Sequence, residues 1–184
     1  MFYSEREDQK DQWYAMRALY RTELQMKTRL DEAGIRCFIP IKETIVTTRG
    51  GSKKRMKVPA VSNLIFVNST QKRLSPFTDQ DSRFQYIYKR GGMSNEPLIV
   101  PDKQMEDFIK ACENSEHPLY FAPDELNLAR GTKVRIVGGP LDGSEGILMK
   151  VSGARARRLV ISIPSAMNVA VEISPDLIEI IDKK

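Results

Sequence analysis

The last third of the chain most restricts the folds that are possible. Between residues 131 and 181, five short runs rich in β-branched residues alternate with turn sequences such as Gly-Gly-Pro and Ser-Gly. Such runs predict strands, and five strands in about fifty residues predict a small barrel, because closing a sheet protects its edges. The predicted strands cover 133–137, 146–150, 159–163, 169–173 and 177–181.

The residues before this block combine helices with strands. A first helix is predicted to begin at a capping box formed by Thr22 and Gln25 and to end at Gly34. A second, amphipathic helix is predicted after Pro101, because Met105, Phe108, Ile109 and Cys112 recur at helical spacing. Extended segments are predicted at 13–19, 36–48, 56–68 and 84–89, the last of them stopping at Gly91-Gly92.

The resulting order β-α-β-β-β-α predicts an antiparallel or mixed sheet with helices packed on it, and the fold class is therefore α+β. Residues 114–129 contain Pro118, Pro123 and several acidic residues but little periodicity, which is typical of a linker. The predicted organisation is a flexible tail at 1–12, an α/β sandwich domain at 13–113, a linker at 114–129 and a barrel at 130–184.

Composition and cysteine content indicate an intracellular globular protein. Hydrophobic residues make up 41% of the 184 residues and charged residues 29%, and the apolar runs are far too short to cross a bilayer, so no membrane partner is expected. Two cysteines are too few for a disulfide framework, which favours a reducing cytoplasm. The net charge of +5 permits a nucleic-acid partner without requiring one.

The inventory of reactive side chains argues against an enzyme. The single histidine, His117, forms no metal-binding spacing with Cys37 or Cys112, so neither a metal nor another cofactor is expected. Cys112 lies on the apolar face of the second helix, where a buried thiol is a better interpretation than a nucleophile. The run 138–143 has the glycine spacing of a phosphate loop, but Ser144 and Glu145 stand where that loop requires Lys and Ser or Thr.

The start of the C-terminal block resembles the KOW motif. Two residues of a strand, Val134 and Ile136, share one face, and a Gly-Pro turn with two further glycines follows. The residues that carry this resemblance are Lys133, Val134, Arg135, Ile136, Gly139, Pro140, Gly143 and Gly146.

The N-terminal block resembles the NusG N-terminal domain, and the whole layout resembles the NusG/RfaH-type transcription elongation factor family. The matching features are Trp13-Tyr14 opening a strand, a helix ending near Gly34, the 38–40 segment, a basic hairpin tip and the 64–67 strand. Within that family the chain looks closest to the UpxY-like antiterminators of capsular polysaccharide operons. The resemblance implies a NusG-type α/β sandwich followed by an SH3-like barrel.

The resemblance also implies partners and a mechanism. The N-terminal domain would bind bacterial RNA polymerase by receiving the clamp helices of the largest subunit in an apolar depression, and would suppress pausing or termination without covalent chemistry. Non-template DNA or nascent RNA would lie nearby. The KOW barrel would recruit a second partner, such as a ribosomal protein or another factor.

Site residues are carried over position by position. The implied polymerase-binding residues are Tyr14, Phe38, Pro40, Leu64, Phe66 and Ile87. For Phe66, Phe38 and Tyr14 the alternative is that they are simply core residues. The family's proline and aromatic ring before the central strand are missing, because this chain has Ser62-Asn63-Leu64 there. The loop 164–167 also departs from the family pattern.

Basic residues form the candidate nucleic-acid-binding set. They are Arg21, Lys27, Arg29, Arg49, Lys53, Lys54, Arg55 and Lys57, most of them around the hairpin tip. The alternative for the hairpin is a merely solvated surface. No aromatic stacking platform is predicted to accompany these charges, so base-specific readout is not assigned.

Two other functions remain open at this point. One is a ribosome- or RNA-binding KOW protein without polymerase affinity, whose barrel would look the same. The other is an enzyme, which the absence of a nucleophile–base pair or a metal cluster in the sequence disfavours.

Overall fold

The computed structural model describes residues 10–89 and 96–181. The chain divides into two compact units, Met1–Val100 and Pro101–Lys184, which are described separately below. The predicted stop at Gly91-Gly92 and all but the end of the predicted tail lie outside the described residues.

The described part of the N-terminal unit consists of an antiparallel sheet, a separate two-stranded hairpin and two α-helices. Its strands are β1 (Gln12–Ala18), β2 (Arg36–Phe38), β3 (Ile41–Thr47), β4 (Lys53–Pro59), β5 (Leu64–Ser69), β6 (Phe84–Tyr86) and β7 (Ile99–Val100). Its helices are α1 (Glu23–Glu32) and α2 (Gln71–Gln80). The main sheet has the order β2-β5-β1-β6, β7 also pairs with β1, and β3 pairs with β4 alone.

Strand β1 organises the main sheet because it pairs with three other strands. Tyr14 lies opposite Val67 on β5, and the next residue, Ala15, lies opposite Phe66. Directly opposite residues of an antiparallel pair share a face, so these two pairs point to opposite sides of the sheet. One side packs against α1 and α2 through a core that contains Tyr14, Met16, Met26, Leu30, Ile65, Val67 and Leu74.

Helix α1 has the predicted extent but not the predicted cap. The Thr22 hydroxyl donates to the Leu19 carbonyl oxygen at 2.8 Å and makes no capping hydrogen bond to the helix. The capping-box prediction is therefore wrong, because the turn before the helix uses this hydroxyl instead. At the other end Gly34 adopts φ 66°, and the Ile35 amide bonds back to the Leu30 carbonyl, as predicted for a C-terminal glycine.

Helix α2 was not predicted from the sequence. It begins at Thr70, whose hydroxyl accepts from the Arg73 amide at 3.2 Å, and it contains Pro76. Proline inside a helix removes one backbone hydrogen-bond donor. The apolar contacts of this helix with the core are made mainly by Leu74 and Phe77. The helix therefore depends on packing against the sheet more than on a visible sequence period.

The described part of the C-terminal unit consists of one α-helix, two short 3-10 turns and a six-stranded antiparallel sheet. The helix is α3 (Asp102–Asn114). The strands are β8 (Leu119–Phe121), β9 (Thr132–Ile136), β10 (Glu145–Lys150), β11 (Arg157–Ile163), β12 (Met167–Val171) and β13 (Ile178–Ile180), in the order β13-β9-β10-β11-β12-β8. The five predicted strands and the α+β class are confirmed, and β8 is an addition.

The segment predicted as a linker is attached to this sheet. Strand β8 pairs with β12, and the buried Arg158 side chain donates to the His117 carbonyl at 2.7 Å. The Asn168 amide group donates to the Ala122 and Pro123 carbonyls at 2.9 and 3.3 Å. The prolines that made this segment resemble a linker flank an apolar tripeptide, Leu-Tyr-Phe, which forms the strand.

Helix α3 also packs on the sheet of the C-terminal unit, against β11 and β12. The division between the compact units falls after Val100. The domain boundary at residue 113 stays a prediction. No helix in the described ranges has the length and apolar character needed to cross a membrane.

Candidate functional site

Three of the implied polymerase-binding residues share one face of the N-terminal sheet. Phe38 on β2 lies directly opposite Phe66 on β5, and Leu64 is two residues away on the same strand. This is the side of the sheet that does not carry the Tyr14 and Val67 core. Leu64 and Phe66 are both buried in this structure.

The other three implied residues lie elsewhere. Tyr14 belongs to the helix-covered core, where its ring meets that of Tyr86 edge-on with centroids 5.4 Å apart. Pro40 is buried at the base of the β3–β4 hairpin, and its carbonyl accepts from the Ala60 amide at 2.7 Å. Ile87 is half-buried; its amide donates to the Ala15 carbonyl of β1 at 3.0 Å, and its carbonyl accepts from the amide of Leu98, just before β7, at 2.6 Å.

The basic hairpin is a two-stranded ribbon with a tight end. Thr47 pairs with Lys53, and the Thr48 amide donates to the Ser52 carbonyl at 2.8 Å. The predicted basic residues Arg49, Lys53, Lys54, Arg55 and Lys57 are all exposed. Alternation along β4 places Lys53, Arg55 and Lys57 on one face of the ribbon and Lys54 on the other.

The connection between β1 and α1 adopts an unusual backbone. Tyr20 and Arg21 both have φ 60°, and Asn63, on the turn before β5, has φ 64°. Left-handed conformations are rare for bulky residues and cost about 1–3 kcal/mol each, so the surroundings must hold them in place. We call Tyr20, Arg21 and Asn63 the left-handed corner.

Hydrogen bonds hold the left-handed corner from several sides. The Arg21 amide donates to the Asn63 side-chain oxygen at 3.1 Å, and the Asn63 amide donates to the Glu23 carboxylate. The Asn63 carbonyl accepts from the Ala18 amide at 3.2 Å. Glu23 is only 1% exposed, so this carboxylate is committed to the corner and does not face solvent.

Arg21 of the left-handed corner lines a cavity of about 320 Å³. Tyr20 is 81% exposed and Leu24 is 52% exposed, an uncommon degree of exposure for large apolar groups. The cavity has an apolar wall from Leu24, Val58, Pro59 and Ala60, cations from Arg21 and Lys42, and the Glu23 carboxylate. The exposed Tyr20 ring directly precedes Arg21 in the chain, which differs from the sequence expectation that no aromatic platform accompanies the basic residues.

Two of the predicted nucleic-acid-binding residues are engaged within the N-terminal unit. Lys27 pairs with Asp31 at 2.9 Å, and this hydrogen bond raises the pKa of Lys27. Arg29 pairs with Asp81 at 3.1 Å and lies over the Phe77 ring. The two arginines Arg83 and Arg29 hold the pKa of Asp81 down to about 2.

The residues predicted to form a KOW motif lie on β9, on β10 and in the turn between these strands. Val134 and Ile136 are fully buried, whereas Lys133 and Arg135 are exposed on the other face. Arg135 binds Glu145 of the neighbouring strand at 2.7 Å, and Gly139 and Gly143 turn the chain with φ 71° and 75°. At Gly146 a Cβ would come within 2.5 Å of the Val160 carbonyl oxygen, so this position requires glycine.

Neither cysteine is set up as a nucleophile. Burial raises the pKa of the Cys37 thiol to about 11 and that of Cys112 to about 12.

The glycine-rich turn after β9 is held by the Asp142 carboxylate, which accepts a hydrogen bond from the Gly138 amide at 2.6 Å. Within the described ranges no cluster of three or more His, Cys, Asp or Glu residues could hold a metal ion.

Sequence reasoning missed Tyr20 and Lys42 as candidate site residues. Tyr20 directly follows the extended segment predicted at 13–19, and nothing local predicts that its φ is positive. One signal was present at Asn63, because asparagine before an apolar strand favours a left-handed turn.

The N-terminal assignment is supported by a family model. A family model described as "Transcription termination factor nusG" matches residues 11–109, which is more than half of the chain. The curated proteins contain no match. A solved structure titled "Domain interaction in Thermotoga maritima NusG" aligns with a TM-score of 0.49 and 17% identity, over 95% of this chain and 99% of that chain. On the strength of the family match, which runs through the N-terminal unit and into α3, this chain belongs to the NusG family of transcription factors, which is not a class of enzymes.

Proposed function

We propose that this protein is a cytoplasmic transcription elongation and antitermination factor that binds bacterial RNA polymerase through its N-terminal unit. The observation that carries the proposal is the family match over residues 11–109, because it covers nearly all the described strands and helices of that unit. Closeness to the UpxY-like antiterminators of capsular polysaccharide operons is part of the same proposal.

The proposed polymerase contact is the sheet face that carries Phe38, Leu64 and Phe66. The clamp helices of the largest subunit would bind there through apolar contacts, which supply most of the affinity of such interfaces. Because Leu64 and Phe66 are buried in this structure, binding requires a state in which the face is uncovered. A ligand that prefers the uncovered state would shift the equilibrium towards it.

The proposed nucleic-acid contacts are the left-handed corner and the basic hairpin. Tyr20 would stack on an unpaired base of non-template DNA or nascent RNA, while Arg21 and Lys42 would neutralise phosphates. The support is the combination of an exposed ring, two cations and a backbone held in a strained conformation. Of the predicted nucleic-acid-binding residues, Lys27 and Arg29 are the weaker candidates because each already pairs with a carboxylate.

The proposed role of the C-terminal unit is to recruit a second partner as a KOW barrel. A ribosomal protein or another factor remains the expected class of partner. The loop 164–167 departs from the family pattern, and Ser165 at its centre has φ 63°. A turn of this shape presents different side chains from the usual loop, so partner specificity would differ as well.

Binding of labelled full-length protein to core polymerase tests the proposal. Arg17 is exposed and lies opposite Leu64 in the β1–β5 register, so Arg17→Glu places a charge at the proposed interface without burying it. We expect Arg17→Glu to weaken binding about tenfold, and Leu64→Asp to abolish it because a charge would enter an apolar contact. The matched control is Lys72→Glu, an exposed site on α2 on the opposite side of the sheet.

The competing function is an RNA-binding KOW protein without polymerase affinity. It predicts that the wild-type chain binds RNA but not core polymerase, and that Arg17→Glu and Lys72→Glu behave alike. Circular dichroism of each variant separates lost binding from lost folding, which matters most for Leu64→Asp.

A further inference from the structure

The C-terminal unit contains a cavity of about 340 Å³ that the proposed function does not use. It lies between the first turn of α3 and strands β9, β10 and β11. Its floor is apolar and consists of Gly146, Ile147, Val160 and Ile161. This volume is at the lower end of the range for small-molecule sites, which combine an apolar wall with a few polar groups.

The cavity stays open because polar side chains attach the helix to the sheet here. Gln104 donates to the Ser162 carbonyl at 2.6 Å, and the Asp107 carboxylate accepts from the Glu145 amide at 3.3 Å. Lys103 donates to the Gly143 carbonyl at 2.9 Å. Apart from Pro101, the helix end contributes only these three side chains to the lining, so no large apolar group covers the floor.

The cavity lining carries two cations, Lys103 and Lys133, and two carboxylates, Asp107 and Glu145. Asp107 is matched by Lys103 at 2.5 Å, and Glu145 is bound at 2.7 Å by Arg135, which lies outside the lining. Lys133 lies 4.0 Å from the second oxygen of that Glu145 carboxylate, so its charge is the least closely compensated of the four. Lys133 lies directly opposite Ile147 in the β9–β10 register, so a cation stands beside the apolar floor.

We propose that this cavity binds a small amphiphilic carboxylate. The apolar body of the ligand, an aryl or branched alkyl group, lies on Ile147 and Val160, and its carboxylate pairs with Lys133. A neutral ligand of the same shape lacks the ion pair, and an amine meets Lys133 as a like charge. The inference stands on residues of the C-terminal unit alone and does not depend on polymerase binding.

Amide shifts of the ¹⁵N-labelled full-length protein provide the test. Three probes share a phenyl group and a short chain but differ in the end group: 3-phenylpropionate, 3-phenylpropanol and phenethylamine. We expect saturable shifts at Gly146, Ile147, Val160 and Ile161 with 3-phenylpropionate, about fivefold weaker binding of the alcohol, and the weakest binding of the amine. Equal affinity for the three probes, shifts centred elsewhere, or no saturable shift with 3-phenylpropionate would overturn the proposal.

Charge reversal at the cavity mouth supplies the matched comparison. Lys133→Glu should lose the preference for 3-phenylpropionate and favour phenethylamine, while Lys150→Glu, an exposed lysine that does not line the cavity, should keep the wild-type order. If both variants keep the wild-type order, or if both lose it, the site assignment is wrong. Both positions are exposed, so the folds of the variants are expected to remain intact.

Discussion

The backbone nitrogen of Arg21 donates a hydrogen bond to the side-chain oxygen of Asn63 at 3.1 Å, although the two residues lie 42 positions apart in the chain. Both residues are left-handed, and the Glu23 carboxylate accepts from the Asn63 amide. The bond therefore joins the turn before α1 to the turn before β5. Tyr20 and Arg21 keep their exposed orientation because Asn63 holds this connection.

Asn63 should be needed for the stability of the fold. Asn63→Ala loses the side-chain acceptor and adds the cost of a left-handed alanine, so we expect a loss of about 2–3 kcal/mol in unfolding free energy. Asn63→Gly keeps the backbone conformation and should lose about 1 kcal/mol. Urea unfolding followed by circular dichroism measures both. Equal losses for the two variants would show that the backbone conformation is unimportant.

The hairpin should contribute a salt-dependent share of affinity for an elongation complex. Replacing Lys53, Lys54 and Arg55 by alanine should lower the log–log salt slope by about one unit for each phosphate that the variant no longer neutralises. Binding to core enzyme without nucleic acid should change little. A salt titration of the wild type and the triple variant, with and without a nucleic-acid scaffold on the polymerase, measures the two slopes. If the variant binds more weakly by the same factor with and without the scaffold, the hairpin tip touches protein. If its binding is unchanged in both titrations, the hairpin is merely solvated.

Gly146 should tolerate substitution less well than Gly143. A Cβ at Gly146 would meet the Val160 carbonyl oxygen at 2.5 Å and a Leu159 methyl group at 2.8 Å, whereas one at Gly143 would meet nothing within 4 Å. Gly146→Ala should therefore cost about 3 kcal/mol, and Gly143→Ala about 1 kcal/mol from its positive φ alone. Thermal melts that rank the two variants in the reverse order would contradict the packing at this position.

Arg158 should fix strand β8 to the C-terminal unit. Its buried guanidinium donates to the His117 carbonyl at 2.7 Å and to Glu172 at 2.6 Å. Arg158→Met keeps much of the side-chain packing but loses these bonds, so hydrogen exchange at Leu119–Phe121 should become at least tenfold faster. The neighbouring exposed residue supplies the control, Arg157→Met, which should leave exchange at β8 unchanged.

Both thiols should react slowly at pH 8. With a pKa of about 11, Cys37 is thiolate in only about one molecule in a thousand at that pH, and Cys112 in fewer. Because these folded-state pKa values exceed those of the unfolded chain, the unfolded state ionises first, and this contribution to stability is lost as the pH rises above about 9. Iodoacetamide alkylation in buffer and in urea measures the difference. Comparable rates in the two conditions would contradict the burial of the thiols.

The sequence predicted elements wherever the local period was clear. Helix α3 repeats apolar residues at helical spacing, and the strands of the C-terminal unit are β-branched and separated by glycines. Helix α2 escaped prediction because Pro76 and few apolar residues hide its period, and β8 because prolines flank it. Both elements are stabilised by interactions with distant residues, which local propensity does not encode.

The candidate site was predictable only in part for a similar reason. Leu64 and Phe66 could be selected from the strand pattern, but the register that separates Phe66 from Tyr14 depends on the pairing of β1 with β5. The exposure of Tyr20 depends on the hydrogen bond between Arg21 and Asn63. No local sequence pattern predicts that bond, because the two residues lie far apart in the chain. The exposed positions of the hairpin cations, by contrast, follow directly from their charge.

The position of Trp13 has an optical consequence. It is the only tryptophan of the chain, it is 3% exposed, and the guanidinium of Arg36 lies 5.1 Å from its ring centroid. Intrinsic emission excited at long ultraviolet wavelengths therefore comes from a single residue of the N-terminal unit. A spectral red shift on denaturation follows the opening of the sheet around β1.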